Sequence, residues 1–191
     1  MAPILYLDFD GVLHPADVRV TDDEPERARV YVIGRASDHP LFEHAALLES
    51  LLEPYPDVRI VLATLWARML GYEFALAQLP PALRSRVIGT VWRGSLLEYP
   101  PGSRYDVIQT DADSRGLTEW LALDDDTNYW PEGELYRIVA TTHYWNALAE
   151  PGVAEELSAA LALLCSGRTL KGRQPRPDPY PSTVDRLFGK A

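Results

Sequence analysis

Five carboxylates stand out in this chain by their spacing. Asp8 and Asp10 flank Phe9 and precede Gly11, and far downstream Asp124, Asp125 and Asp126 stand in a row. Alternate residues of an extended chain face the same side, so Asp8 and Asp10 are expected together, with Phe9 turned away. Close carboxylates repel one another unless a cation or a shared proton relieves them. A set made only of oxygens suits a hard divalent ion such as Mg²⁺, which keeps several waters and takes a substrate phosphate oxygen. No Cys or His cluster has ligand spacing, which speaks against zinc and the softer metals. A simple turn, or a calcium loop, is the plain alternative for the first pair. A calcium loop needs a further acid or amide before its Gly and a Glu six residues after it. Here Gly11 follows Asp10 at once, and Asp17 holds the later position.

The flanking residues say how these acids are held. Ile4-Leu5-Tyr6-Leu7 is an unbroken apolar run, the pattern of a parallel strand buried on both faces. Val58–Ala63 is a second strand, ending at Thr64. Val87–Val91 is a third, with Trp92 at its end. Trp120–Leu123 delivers Asp124, and Arg137–Thr141 completes the strands. Helical spacing is expected over Leu41–Leu52, over Trp66–Leu79 before Pro80-Pro81, from a Ser103 cap to about Ser114, and over Pro151–Cys165. Strand–helix alternation indicates an α/β fold: a three-layer Rossmannoid, with helices on both faces of a parallel sheet. Ligands in such sheets bind outside the carboxyl ends of the strands, which is where every one of these polar groups falls. Asp17–Val20 and Arg29–Ile33 alternate apolar and polar residues, so a small β-hairpin flap is expected over about 15–36. The domain is expected to span residues 1–166, with 167–191 as a basic, Pro-containing tail.

Composition narrows the function classes. With 191 residues and 47% apolar content the chain can build one substantial core. It has no apolar run long enough to span a membrane and enters its first strand without a leader-like segment. A single cysteine, Cys165 in an apolar helical stretch, excludes an internal disulfide and suggests a reducing, cytoplasmic setting. The net charge of −10 is uneven: six basic and two acidic residues from Gly167 onward give the tail +4 and leave −14 on the body. An acidic body argues against stable binding to a long nucleic-acid polymer, which depends on neutralising phosphates. The tail is expected to be a solvated extension.

The order Asp8-Phe9-Asp10-Gly11-Val12, then Thr64, then Leu123-Asp124-Asp125 resembles the motifs of the haloacid dehalogenase-like (HAD) hydrolase superfamily across residues 3–165. The opening from Tyr6 to His14, the Trp soon after Thr64 and the run Trp120–Asp126 further resemble the HAD domains of "Swiss army knife" RNA-repair proteins. The resemblance implies a Mg²⁺-dependent phosphatase. Asp8 would be the nucleophile that forms an aspartyl-phosphate, and Asp10 the general acid and base. Thr64 would bind phosphate, while Asp8, the Asp10 main-chain carbonyl and Asp124 or Asp125 would hold the ion. The superfamily usually supplies a Lys as well, but Lys171 and Lys190 are the only lysines and both lie in the tail. Arg104, at the start of the helix before the fourth strand, is the expected substitute, with Arg84, Arg86 and Arg93 as competitors. Ordinary surface arginine is the bland alternative for each.

His14, Trp66 and Trp92 are candidate substrate contacts, the tryptophans as stacking surfaces for a base or sugar. Packing in the core is the alternative for all three, and for His143. A small cap leaves the cleft open, which suits a phosphorylated nucleic-acid end or nucleotide. A small phosphorylated metabolite, or a non-catalytic binding module that keeps the fold, is the competing interpretation. A second subunit acting as a lid is compatible with an open cleft.

Overall fold

The run Ile4–Leu7 forms β1, the middle strand of a five-stranded parallel sheet. The computed structural model describes residues 2–15, 18–21, 24–32, 35–36, 38–93, 103–141 and 146–176. On one side of β1 lie β5 (Arg59–Leu62) and then β6 (Val87–Thr90). On the other lie β7 (Leu121–Asp124) and then β8 (Ile138–Ala140). The chain therefore winds away from β1 in one direction and returns to fill the other. The reversal opens a crevice at the carboxyl end of β1.

The pairing register sets what meets there. Leu7 lies opposite both Leu62 and Leu123. The ladder continues one step further: the Asp8 N–H donates to the Leu123 carbonyl at 3.1 Å, and the Ala63 N–H to the Leu7 carbonyl at 2.8 Å. Asp8, Thr64 and Asp124 thus leave three adjacent strands at nearly one level.

Both faces of the central strands are covered, which explains the unbroken apolar run of β1 and the full burial of β7. Leu5, Leu7, Ile60, Leu62, Leu121 and Leu123 pack on one side against α1 (Ala45–Leu52) and α6 (Val153–Cys165). Tyr6, Val61 and Ala122 face the other, against α5 (Arg104–Ser114), Trp120 and Trp130. Helix α5 starts where Ser103 suggested: Ser103 Oγ accepts the Asp106 N–H, and the Ser103 N–H donates to Asp106 Oδ2 at 2.7 Å, a reciprocal cap.

The expected helix over Trp66–Leu79 is instead two, α2 (Leu65–Met69) and α3 (Tyr72–Gln78), followed by the short α4 (Pro81–Arg84). The break falls at Gly71, whose φ of 97° is closed to most L residues and turns the chain between the two. Helix α1 begins at Ala45 rather than Leu41, because Phe42 takes a φ of 60°. In the flap region three antiparallel strands occur, β2 (Val18–Thr21), β3 (Glu24–Val32) and β4 (Arg35–Ala36), one more than expected.

The first residues of the tail are not a solvated extension. Leu170 is fully buried, and its N–H donates to Glu119 Oε2 at 3.2 Å. Arg173 Nε donates to the Tyr136 carbonyl at 3.0 Å, and the same guanidinium reaches the Ile138 carbonyl and Glu156. Arg176 pairs with buried Glu150 at 2.8 Å. Two of the basic residues that made the tail look solvated, Arg173 and Arg176, are paired with acids of the body. Among the described residues no helix is long and apolar enough to cross a membrane.

Candidate active site

Asp8, Asp124 and Asp125 each present a carboxylate oxygen, and the three oxygens lie within 4.8 Å of one another. Asp8 and Asp124 are buried at the ends of neighbouring strands, while Asp125 is partly exposed. Asp8 Oδ1 accepts the Phe9 N–H at 2.8 Å, and Asp124 Oδ1 accepts the Asp126 N–H at 3.0 Å. Each carboxylate is thereby fixed by one oxygen, and the other lies within ion-pair reach of Arg104. Asp126 itself turns outward, where Oδ1 caps Asn128.

Gly11 makes room for this cluster. Its φ is +68°, and a Cβ there would stand 2.3 Å from Asp125 Oδ2. Thr141, at the end of β8, donates its hydroxyl to the Gly11 carbonyl at 2.6 Å and pins the turn. The need for Gly11 could be read as a turn signal in the sequence. The Thr141 contact, 130 positions away in the chain, had no local signal.

Arg104, the expected substitute for the family's lysine, lies against the acid cluster. Its Nη2 lies 3.2 Å from Asp8 Oδ2 and its Nε 3.3 Å from Asp124 Oδ2, and Nη1 donates to the Ala63 carbonyl. The side chain is almost wholly buried and lies over the Trp92 ring, 5.9 Å from its centroid. Two of the competitors are engaged elsewhere. Arg86 holds the carbonyls of Leu52 and Tyr55, and Arg93 pairs with Asp111 at 2.5 Å. Arg84 lies in the last turn of α4.

Burial dominates the electrostatics. It pushes the carboxyls of Asp8, Asp124 and Asp125 above the usual carboxylate range, with Arg104 opposing the rise at each. The neighbouring acids add to it: Asp10 for Asp8, Asp8 for Asp124, and Asp8 with Asp124 for Asp125. Burial would lower the Arg104 guanidinium, but the charges of Asp8 and Asp124 outweigh it and the group is held more firmly protonated than usual. One guanidinium thus faces three carboxylates, an excess of negative charge that a divalent cation would relieve. The buried Asp124 Oδ2 accepts no hydrogen bond and is met only by the ion pair with Arg104 Nε at 3.3 Å. An oxygen-only donor set carrying more negative charge than Arg104 balances fits a hard divalent ion.

Asp10 stands beside this cluster, not in it. His14 Nε2 lies 3.0 Å from Asp10 Oδ1, and the Trp66 indole N–H donates to Asp10 Oδ2 at 2.9 Å. Both carboxylate oxygens of Asp10 are thus engaged by ring nitrogens, and its side chain is not among the three that converge. His14 is fully buried and Trp66 is 7% exposed, packed edge-on against Phe9 and Phe42. Neither ring is open for stacking, so the expectation of substrate contact through His14 and Trp66 is corrected: their bonding nitrogens are used on Asp10.

Thr64 is buried as the N-cap of α2, where its hydroxyl accepts the Trp66 N–H at 3.2 Å and lies against Asp8. Trp92 donates its indole N–H to the Thr64 carbonyl at 2.7 Å, which fixes the ring as a wall beside Arg104 and Thr64. Its ring remains partly exposed, so the stacking expectation is kept for Trp92. His143 lies outside the described residues. Cys165 lies in α6, where burial raises its thiol, far from the acid cluster in the fold.

The family model described as the HAD domain in Swiss Army Knife RNA repair proteins matches residues 4–176. A search of curated proteins gave no match.

Proposed function

Because the chain belongs to the family of HAD domains in Swiss Army Knife RNA repair proteins, a hydrolase fold, we propose that it is a Mg²⁺-dependent phosphatase acting through an aspartyl-phosphate on Asp8, with a phosphorylated nucleic-acid end or nucleotide as substrate.

Asp8, Asp124, Asp125 and the Asp10 carbonyl would hold the ion, which when bound supplies positive charge to the phosphoryl oxygens. In the first step a carboxylate oxygen of Asp8 attacks phosphorus. The P–O bond to the leaving group breaks, and Asp10 gives its proton to the departing oxygen. In the second step Asp10 takes a proton from water, the water oxygen attacks phosphorus, and the bond to Asp8 breaks, releasing phosphate. Thr64 offers its hydroxyl to the phosphoryl group, and Arg104 contributes a fixed positive charge. Asp10 keeps its side chain about one-third exposed, as a group that must trade protons with substrate and water requires.

The convergence of Asp8, Asp124 and Asp125 within 4.8 Å, beside a separately held Asp10, carries this reading. Aryl-phosphate hydrolysis with and without Mg²⁺, beside Asp8→Asn, tests it. Activity that needs the ion and falls by about a thousandfold in the variant supports it. Metal-independent activity, or an unaffected variant, overturns it. For the substrate, a panel of 3′- and 5′-phosphorylated oligonucleotides, nucleotides and sugar phosphates decides between a nucleic-acid end and a small metabolite.

One observation favours a second reading. Arg104 is already paired with both Asp8 and Asp124, so a cation of the protein's own partly occupies the cluster. A non-catalytic module that keeps the fold would show no hydrolysis with any divalent ion.

A further inference from the structure

His14 and Trp66 converge on one carboxylate from different parts of the chain. His14 follows β1 and Trp66 lies in the first turn of α2, yet both direct a ring nitrogen at Asp10, on opposite oxygens, at 3.0 and 2.9 Å. Each holder is itself fixed. His14 Nδ1 accepts the Phe42 N–H at 3.4 Å, which assigns the remaining proton of the neutral ring to Nε2 and makes it the donor to Asp10. The Trp66 ring is wedged among Phe9, Phe42 and Phe74. The imidazole and indole also lie near each other, with centroids 6.0 Å apart.

From this geometry we infer that His14 and Trp66 are positioning residues that clamp the Asp10 carboxylate so that it delivers its proton to the leaving oxygen. This deepens the phosphatase reading above and rests on it. A carboxyl on a short side chain can rotate about its terminal bond, and a freely rotating acid spends much of its time aimed away from the reacting oxygen. Two donors on opposite oxygens remove that rotation. They leave the outer lone pairs, on the partly exposed side, for the transferred proton.

The signature is selectivity toward leaving groups. A primary alkyl phosphate expels a poor leaving group and needs its oxygen protonated as the bond breaks. Dinitrophenyl phosphate expels a stable phenolate and needs little help. The experiment measures kcat/KM for both esters with Mg²⁺, for the wild type, Asp8→Asn, Asp10→Asn, Trp66→Phe, His14→Leu and His14→Gln. Both esters are assayed on one preparation, so any unfolded fraction cancels in their ratio. Trp66→Phe keeps an aromatic ring in the pocket and removes the N–H, which guards against a folding failure at His14.

Trp66→Phe and His14→Leu are each expected to lower the alkyl-to-aryl ratio on the order of tenfold, in the direction of Asp10→Asn. His14→Gln, which can present an amide N–H near the Nε2 position, is expected to recover part of it. If Asp10→Asn lowers the ratio while Trp66→Phe and His14→Leu leave it at the wild-type value, the clamp is refuted and the phosphatase reading stands. If the wild type hydrolyses neither ester, or Asp8→Asn retains its rate, the phosphatase reading falls and the clamp falls with it.

Discussion

The Asp125 carboxylate occupies the space that any side chain at Gly11 would need: a Cβ there would approach Asp125 Oδ2 to 2.3 Å. Gly11 also holds a φ of +68°, so two independent constraints fall on one position. The first turn after β1 and the acids after β7 are built as a single object.

Gly11→Ala should therefore damage the cluster more than the fold. Backbone strain of this kind costs about 1–3 kcal/mol, and Asp125 must also move aside. The expected result is a modest drop in melting temperature with a much larger rise in the Mg²⁺ concentration needed for activity. Thermal melts and a Mg²⁺ titration of turnover check it; an unchanged Mg²⁺ requirement counts against Asp125 as a ligand.

Arg104→Ala should strip the buried Asp8 and Asp124 of their positive partner. Removing one side of a buried ion pair costs about 3–5 kcal/mol, because the remaining charge is left uncompensated. Arg104→Lys should recover part of this loss, since an ammonium restores the charge but not the planar set of donors that reaches Asp8, Asp124 and the Ala63 carbonyl. Chemical denaturation of the two variants gives the comparison.

Without metal, the folded protein holds the carboxyls of Asp8, Asp124 and Asp125 above their ordinary range, chiefly through burial. The folded state therefore binds protons that the unfolded chain has released. The stability these groups contribute is complete below about pH 4, the unfolded carboxylate range, and is lost as pH rises through the higher folded values. A bound divalent ion offsets both the burial of these charges and the smaller repulsion among them. Mg²⁺ should accordingly raise the melting temperature more near pH 8 than near pH 5, by up to ~2.7 kcal/mol of stability at a hundredfold excess over its dissociation constant. Melting curves over a pH series with EDTA or MgCl2 make the comparison; an equal shift at both ends contradicts the cluster as the binding site.

Deleting residues 167–191 should destabilise the domain itself. The cut removes the buried Leu170 and the arginines that neutralise Glu150 and Glu156. The loss is expected at about 3–5 kcal/mol.

Sequence patterns carried the site furthest where the chemistry is local. The central strands are legible as apolar runs because both of their faces are covered, and Asp8, Thr64 and Asp124 follow directly from the strand ends. The Ser103 cap located Arg104 at the head of α5, and the body has no lysine to compete with it. The two holders of Asp10 were named but misassigned. Nothing in the spacing tells whether His14 and Trp66 face a ligand or a carboxylate; that depends on how α2 is rotated after Thr64 caps it. The split of α2 from α3 was missed because Trp66–Leu79 has helical apolar spacing throughout, and only Gly71 argues otherwise. The docking of Arg173 and Arg176 was hidden for a different reason. Ion pairing over long separations leaves no periodicity, so a paired basic segment and a free one look alike in a sequence.

The clamp on Asp10 draws one member from the turn after β1 and the other from the helix after β5. Sliding these two strands by a single residue would carry Trp66 about 3.3 Å along the sheet and out of reach of its acceptor. Substitutions deep in the hydrophobic interior that relax this alignment would then cost turnover before they cost folding, so a screen for lost catalysis should recover changes at Leu7 and Leu62 as well as at the acids.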